Sequence, residues 1–410
     1  MNLAETVDSQ SEISTPAETN RDTREPLFTR GFFRLFGFSF VTFFGAFQFL
    51  PVMPLRILDL KGTTAQAGWF LGAFTFASAA AGPLMGSIAD RFGRRRFLIV
   101  GSLGFIGFAV LYSLIQSALV LIAAGALQGA IWSGLLAASG ALFSEVVPIS
   151  RRAEGFSYWG FASNGAIAIS PVLGLKVYNL GWRWLCVEAG GLAVLMFFIS
   201  LAQREKPHNR PRGWSGLLDG GVLDKGVFKV ALSLFMVSFG YGAITSYIAL
   251  DARSASIRPE SLYFTIFAST VLLTRLVTGR LADSVGYTRV LLPSLGLAAS
   301  GLGVLALPTT RMSFVISALV FGAGFGSCYP AFAARMLELT DPSRRAQTFG
   351  SIVAAFDTGV GLGSILLGAV VARYGFQAAF GVAAVIALFS IPLYLVTERG
   401  LTRGQAMDRG

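Results

Sequence analysis

Apolar runs of about 20 residues recur along the whole chain, and no other feature limits its fold so strongly, because that is the length a helix needs to cross about 30 Å of hydrocarbon. Twelve such spans are read: Phe32–Ile57, Ala67–Ile88, Phe97–Ile115, Ala118–Phe143, Phe156–Tyr178, Trp184–Leu201, Val227–Leu250, Leu262–Leu281, Val290–Leu307, Phe314–Met336, Phe349–Val371 and Phe376–Val396. Backbone polar groups in lipid must be satisfied internally, so runs of this length are expected as helices. Composition agrees. The 410 residues are 54% hydrophobic and 13% charged, with mean hydropathy +0.64, against about 25% charged residues in a soluble domain. The 48 Gly and 36 Phe suit close helix packing and lipid-facing surface.

Several chemistries have no material here. Cys186 and Cys328 both lie in apolar runs, and His208 is the single histidine. A disulfide framework, a metal site or histidine catalysis is therefore not expected. Neither H-E-x-x-H, a nucleophile elbow nor a phosphate-binding G-x-x-x-x-G-K-[ST] loop is present. The chain reads as a non-enzyme that needs no cofactor. Its net charge of +11 is spread between the apolar runs and forms no continuous face, so nucleic acid is not an expected partner.

The distribution of Lys and Arg sets direction. With the N-terminus in the cytoplasm, 24 of the 33 basic residues fall on that side, 8 fall on the other, and Arg275 lies within a span. Both termini are thus expected in the cytoplasm, and the chain is expected to be a monomeric, multi-pass protein of the cell (inner) membrane. Residues 1–30 read as a polar, disordered cytoplasmic tail. A six-helix half at 31–202, a cytoplasmic linker at 203–226, a second six-helix half at 227–397 and a tail at 398–410 complete the expected organisation.

The two halves repeat. G-S-I-A-D-R-F-G from Gly86 recurs as G-R-L-A-D-S-V-G from Gly279, and S-R-R-A from Ser150 recurs from Ser343, each 193 residues on. Arg96 and Arg289, and Glu145 and Glu338, keep the same spacing. The fold class is therefore an all-α membrane protein: twelve transmembrane helices in two pseudo-symmetric six-helix bundles. The loop G-S-I-A-D-R-F-G-R-R-R between spans 2 and 3 closely resembles a conserved loop of the major facilitator superfamily, and the likeness covers about residues 30 to 397. The runs S-F-G-Y-G-A-I-T-S-Y-I-A-L and L-L-T-R-L-V-T-G-R-L-A-D resemble bacterial sugar- or drug-efflux-type permeases.

Glycines at Gly86 and Gly93 permit close approach and tight turning, while Asp90 suits a helix N-terminus. The resemblance implies a cytoplasmic latch of Asp90, Arg94 and Glu145, with Arg91 in the same loop. The second half keeps Gly279, Asp283, Gly286 and Glu338 but has Tyr287 in place of Arg94, so Arg289 or Arg280 is the expected substitute. A plain topological role for these arginines is the alternative reading.

A charge in hydrocarbon costs at least about 2.5–3.5 kcal/mol and needs a reason. Asp357 lies eight residues into span 11, or roughly 12 Å at 1.5 Å per residue, near the midplane where such transporters bind solute. It aligns with Asn164 at the repeat offset. A proton carrier, a counter-ion for a cationic solute, a partner of Arg275 and a structural hydrogen bond are all open readings. The resemblance implies that Gln48, Gln128, Trp132, Tyr241, Tyr247 and Tyr329 line the cavity. That mixed aromatic and polar set suits amphipathic or uncharged solutes. Gly165 to Gly174 partly resembles the superfamily's antiporter signature, with Ser170 and Leu175 in place of glycines, and Gly125 stands where many proton-coupled members carry Arg.

The expected function is secondary active transport of a small organic solute by alternating access: proton-coupled efflux of a drug- or sugar-like compound. Proton-linked uptake is the alternative within the class, and a non-transporting membrane receptor or scaffold is the alternative outside it.

Overall fold

A computed structural model describes residues 26–148, 151–205, 225–339 and 345–407. These residues form twelve helices in chain order: α1 (Arg30–Phe47), α2 (Met53–Asp59), α3 (Thr64–Phe92), α4 (Arg94–Leu114), α5 (Ala118–Val146), α6 (Arg152–Leu180), α7 (Trp182–Leu201), α8 (Lys225–Ser254), α9 (Leu262–Val285), α10 (Tyr287–Leu305), α11 (Arg311–Leu339) and α12 (Arg345–Met407). Eight of them are long and apolar enough to cross a membrane, and α12 is long enough to do so twice. No strand occurs among the described residues.

One break falls differently from the sequence expectation, and it has a local cause. The first expected span is divided between α1 and α2 by turns at residues 48–52. Pro51 removes a backbone donor and restrains the residue before it, while Pro54 sits in the first turn of α2, where a missing N–H is harmless. The last two expected spans are the two arms of α12, two helices that meet at a kink where Gly375 has non-helical φ of 86° and ψ of 175°. A residue with a Cβ is disfavoured there. α12 also runs past residue 397, so the expected tail begins as helix.

The repeated loops end their helices in the same way. Gly93 between α3 and α4 has φ of 101°, and Gly286 between α9 and α10 has φ of 91°. The conformation, not only the residue, is duplicated. At the other helix ends, Thr63 and Gln66 form a reciprocal capping box at α3.

α1 to α7 pack into one half and α8 to α12 into the other. Across the boundary, α3 lies along the first part of α12, and α6 meets α9. These pairs exchange under the 193-residue repeat, so the boundary is itself pseudo-symmetric. The outward surface is apolar, with Leu180, Val100, Trp184, Leu273 and Val396 all more than 60% exposed. Such a surface is costly in water and is at home in lipid.

Candidate functional site

Polar and aromatic side chains gather where the second half faces the first. Tyr241 of α8 stacks on Phe325 of α11 with ring centroids 4.5 Å apart, and Tyr329 of α11 meets Phe356 of α12 edge-on at 5.4 Å. Asp357 follows Phe356 on α12. At 100° per residue it shares a face with Gly361 and Ser364, and these two touch α3. The carboxylate is half-buried and is thereby aimed at the other half.

Arg275 of α9 approaches the same region. Leu273 and Val277, two residues on either side, are 65% and 62% exposed, so Arg275 lies on the opposite, inward face of its helix. Its Nε is buried without a hydrogen-bond partner. Among the described residues Arg275 and Asp357 form no ion pair, although Tyr329 is within electrostatic reach of both. Direct pairing, one of the readings open from the sequence, is not what the structure shows.

The first half contributes an aromatic wall without charge. Trp132 of α5 meets Phe43 at 4.9 Å, Phe47 at 6.0 Å and Phe74 at 6.1 Å between centroids. Asn164 of α6 donates to the carbonyl of Gly160, 2.6 Å away on its own helix. Gln128 is turned into the half itself, where it accepts from the Tyr112 hydroxyl at 2.6 Å. Gln48 is fully buried, and neither atom of its amide has a partner.

One end of the molecule is closed between the halves. Ser364 Oγ donates to the carbonyl of Gly68 at 2.8 Å, Ser246 Oγ lies 2.6 Å from Ser364 Oγ, and Tyr247 donates to the Ser364 carbonyl at 2.5 Å. Tyr247 thus belongs to the closure. A Cβ on Gly68 would lie 1.8 Å from Tyr247 Oη and 2.1 Å from the Ser364 carbonyl oxygen, so glycine alone permits this approach. Farther out, Arg253 of α8 reaches Asp59 of α2 at 3.5 Å, Tyr178 also donates to Asp59, and Asn179 donates to Glu260 at 3.2 Å. Three of these hydrogen bonds cross between the halves, Ser364 to Gly68, Arg253 to Asp59 and Asn179 to Glu260, and all three lie at this one end.

At the other end, several bonds brace each half. Arg94 bridges Asp90, 2.7 Å away, and Glu145. Gly86 of α3 lies near Ala137 of α5, and Arg91 is half-buried in the last turn of α3. Glu205 accepts from the main-chain N–H groups of Arg94 and Arg95 at 3.0 and 3.3 Å, capping α4 with a carboxylate. In return, Arg34 and Arg95 donate to the carbonyls of Ala202 and Leu201 at the end of α7, at 2.7 and 2.8 Å.

The second half answers with different residues. Glu398, 193 positions after Glu205, accepts from Arg335 at 2.5 Å and from Thr288 at 3.3 Å. Thr288 is itself 193 positions after Arg95. Glu398 thus takes its cation from Arg335 of α11, and Arg289 is exposed at the surface. The side chains of Gly279, Arg280, Asp283 and Glu338 lie outside the described residues. Sequence reasoning missed Glu205 and Glu398, although the repeat offset links them.

Two packed halves of long apolar helices, related by a sequence repeat and meeting at a pseudo-symmetric boundary, define an integral membrane protein. The family model of the Major Facilitator Superfamily matches residues 35–253 and 230–409, and the chain belongs to that superfamily, whose members are transporters and not enzymes. An uncharacterized MFS-type transporter of Burkholderia pseudomallei is 26% identical over 372 residues, covering 88% of this chain and 90% of that one. The multidrug resistance protein MdtG of Yersinia enterocolitica is 28% identical over 380 residues, covering 86% and 90%. Among solved structures, the nucleoside transporter NupG gives a TM-score of 0.71 at 15% identity, covering 90% of this chain and 99% of that one. A bacterial homolog of the human lysosomal transporter Spinster gives 0.75 at 16%, covering 90% and 96%.

Proposed function

We propose that this transporter is a proton-coupled exporter of a small, drug-like organic solute, working by alternating access across the inner membrane with both termini in the cytoplasm. The observation that carries the reading is Asp357. It is a half-buried carboxylate without a hydrogen-bond or ion-pair partner among the described residues, one helical turn from the closed contact at Gly361. An unpaired carboxylate at that depth is costly when charged. Taking up a proton removes most of the cost, so its protonation is coupled to which side the chamber faces.

On the count of basic residues, the Gly68–Ser364 closure is the outer one. The Arg94 bridge braces the first half's own cytoplasmic loop and becomes a latch between halves when that end closes. The drug-like reading rests on the aromatic chamber and on the similarity to MdtG. Everted membrane vesicles test it: acidifying the lumen should drive dye or drug uptake into them, and a protonophore should abolish it. Uptake that ignores the proton gradient would remove the coupling, and uptake driven only by an acidic exterior would reverse the direction.

A further inference from the structure

The inward faces of α9 and α12 carry two opposite charges, Arg275 and Asp357, that do not use one another. Arg275 and Asp357 sit on helices at opposite flanks of the second half, since α9 packs beside α11 while α12 packs beside α8. Tyr241, Phe325, Phe356 and Tyr329 fill the space between as a stacked and edge-packed aromatic group. A guanidinium and a carboxylate with nothing between them but aromatic rings would collapse into contact if folding alone were at stake, because each is expensive to leave unpaired. The aromatic spacer prevents this. In the first half, Phe43, Phe47, Phe74 and Trp132 pack as an aromatic cluster of uncharged side chains.

We infer that the chamber is built for a zwitterion: a small molecule with an aromatic or flat apolar body, an anionic group seated on Arg275 and an ammonium group seated on Asp357. Arg275 offers the planar set of donors that suits a carboxylate. Asp357 supplies the matching negative charge at the other end, and the aromatic rings of both halves hold the body. A singly charged solute would leave one of the two protein charges unmatched and would bind less well. This rests on the reading of the chamber as the transport site, and it adds the chemical class of what is carried.

The test uses the full-length protein in nanodiscs and binding measured by calorimetry at pH 7. Two scaffolds are each presented in three charge states. They are norfloxacin, its ethyl ester and its N-acetyl form, and tryptophan, its methyl ester and its N-acetyl form. The expected result is that at least one zwitterion binds, and does so at least tenfold more tightly than its ester or its acetylated form. Arg275→Gln should bring the zwitterion down to the affinity of the ester while leaving the ester unchanged. Asp357→Asn should bring it down to the affinity of the acetylated form. Arg275→Lys, which keeps the charge, should retain most of the preference and guards against a folding defect in the glutamine variant.

Failure of both zwitterions to bind would overturn the inference. So would equal affinity across the three charge states, or a preference that survives both neutral substitutions. Proton-driven uptake in vesicles is measured separately. Vesicles that remain proton-coupled while the charge preference fails would sink this inference alone, and loss of coupling with the preference intact would sink only the coupling.

Discussion

Ser364 and Gly68 meet across the two halves, with the serine hydroxyl donating to the glycine carbonyl at 2.8 Å. The contact exists because Gly68 has no Cβ. An added methyl would fall 1.8 Å from Tyr247 Oη and 2.1 Å from the Ser364 carbonyl oxygen, and the second of these cannot yield without moving the helix.

Gly68→Ala should therefore disfavour this closed end and shift the population toward the opposite state. A cysteine placed at Thr75, in a background with Cys186 and Cys328 replaced, should react with a membrane-impermeant thiol reagent at least tenfold faster in Gly68→Ala. Gly107→Ala, where nothing lies within 4 Å, should leave the rate unchanged. Breaking the Arg253–Asp59 pair should matter much less, since both side chains are over a third exposed and such pairs contribute about 0–1 kcal/mol. Equal effects from Gly68→Ala and Gly107→Ala would contradict the closure.

Glu205→Ala should destabilise the cytoplasmic end of α4. The carboxylate caps two main-chain N–H groups there, and losing a cap costs about 1 kcal/mol. Thermal unfolding in detergent reads it, with Glu205→Gln losing less because the amide oxygen still accepts. A midpoint unchanged in Glu205→Ala would show that α4 does not depend on this contact.

Arg94 serves both Asp90 and Glu145, so its removal leaves two carboxylates together. Arg94→Gln is expected to reduce transport by at least fivefold. Combining it with Asp90→Asn and Glu145→Gln should restore part of the loss, because the unmatched charges go too. A triple variant worse than the single one would point to a role for Arg94 beyond this bridge.

Gln48 is fully buried, and its amide has no partner. Leaving such a group unmade costs about 1–3 kcal/mol. Gln48→Leu should raise thermal stability by a comparable amount while lowering transport several-fold, the pattern of a group kept for a step of the cycle and not for folding. Lower stability in the leucine variant would mean that the amide is satisfied in the membrane.

Much of this architecture is legible in the sequence, and the gaps have physical reasons. Apolar length marks the spans, and the 193-residue repeat pairs the glycine turns at Gly93 and Gly286, whose φ values are both positive. The repeat also links Glu205 to Glu398, but both sit where apolar helix gives way to polar tail, so neither stands out by hydropathy. Arg335 could not be found by offset, because its counterpart, Leu142, is apolar. Gly68 is one of 48 glycines, and only the fold shows that it faces Ser364. Gln128 and Tyr247 stand on helices expected to line the cavity, yet which way a side chain turns depends on Tyr112 and Ser364, which are distant in sequence.

The central claim is that Asp357 couples proton movement to solute movement. Proteoliposomes containing the native protein or Asp357→Asn are loaded with norfloxacin, and two quantities are compared: proton-driven net transport, and exchange of labelled against unlabelled solute with no gradient. The account predicts that Asp357→Asn loses net proton-driven transport while still exchanging solute measurably. Net transport that remains proton-driven at the native rate in Asp357→Asn would contradict it.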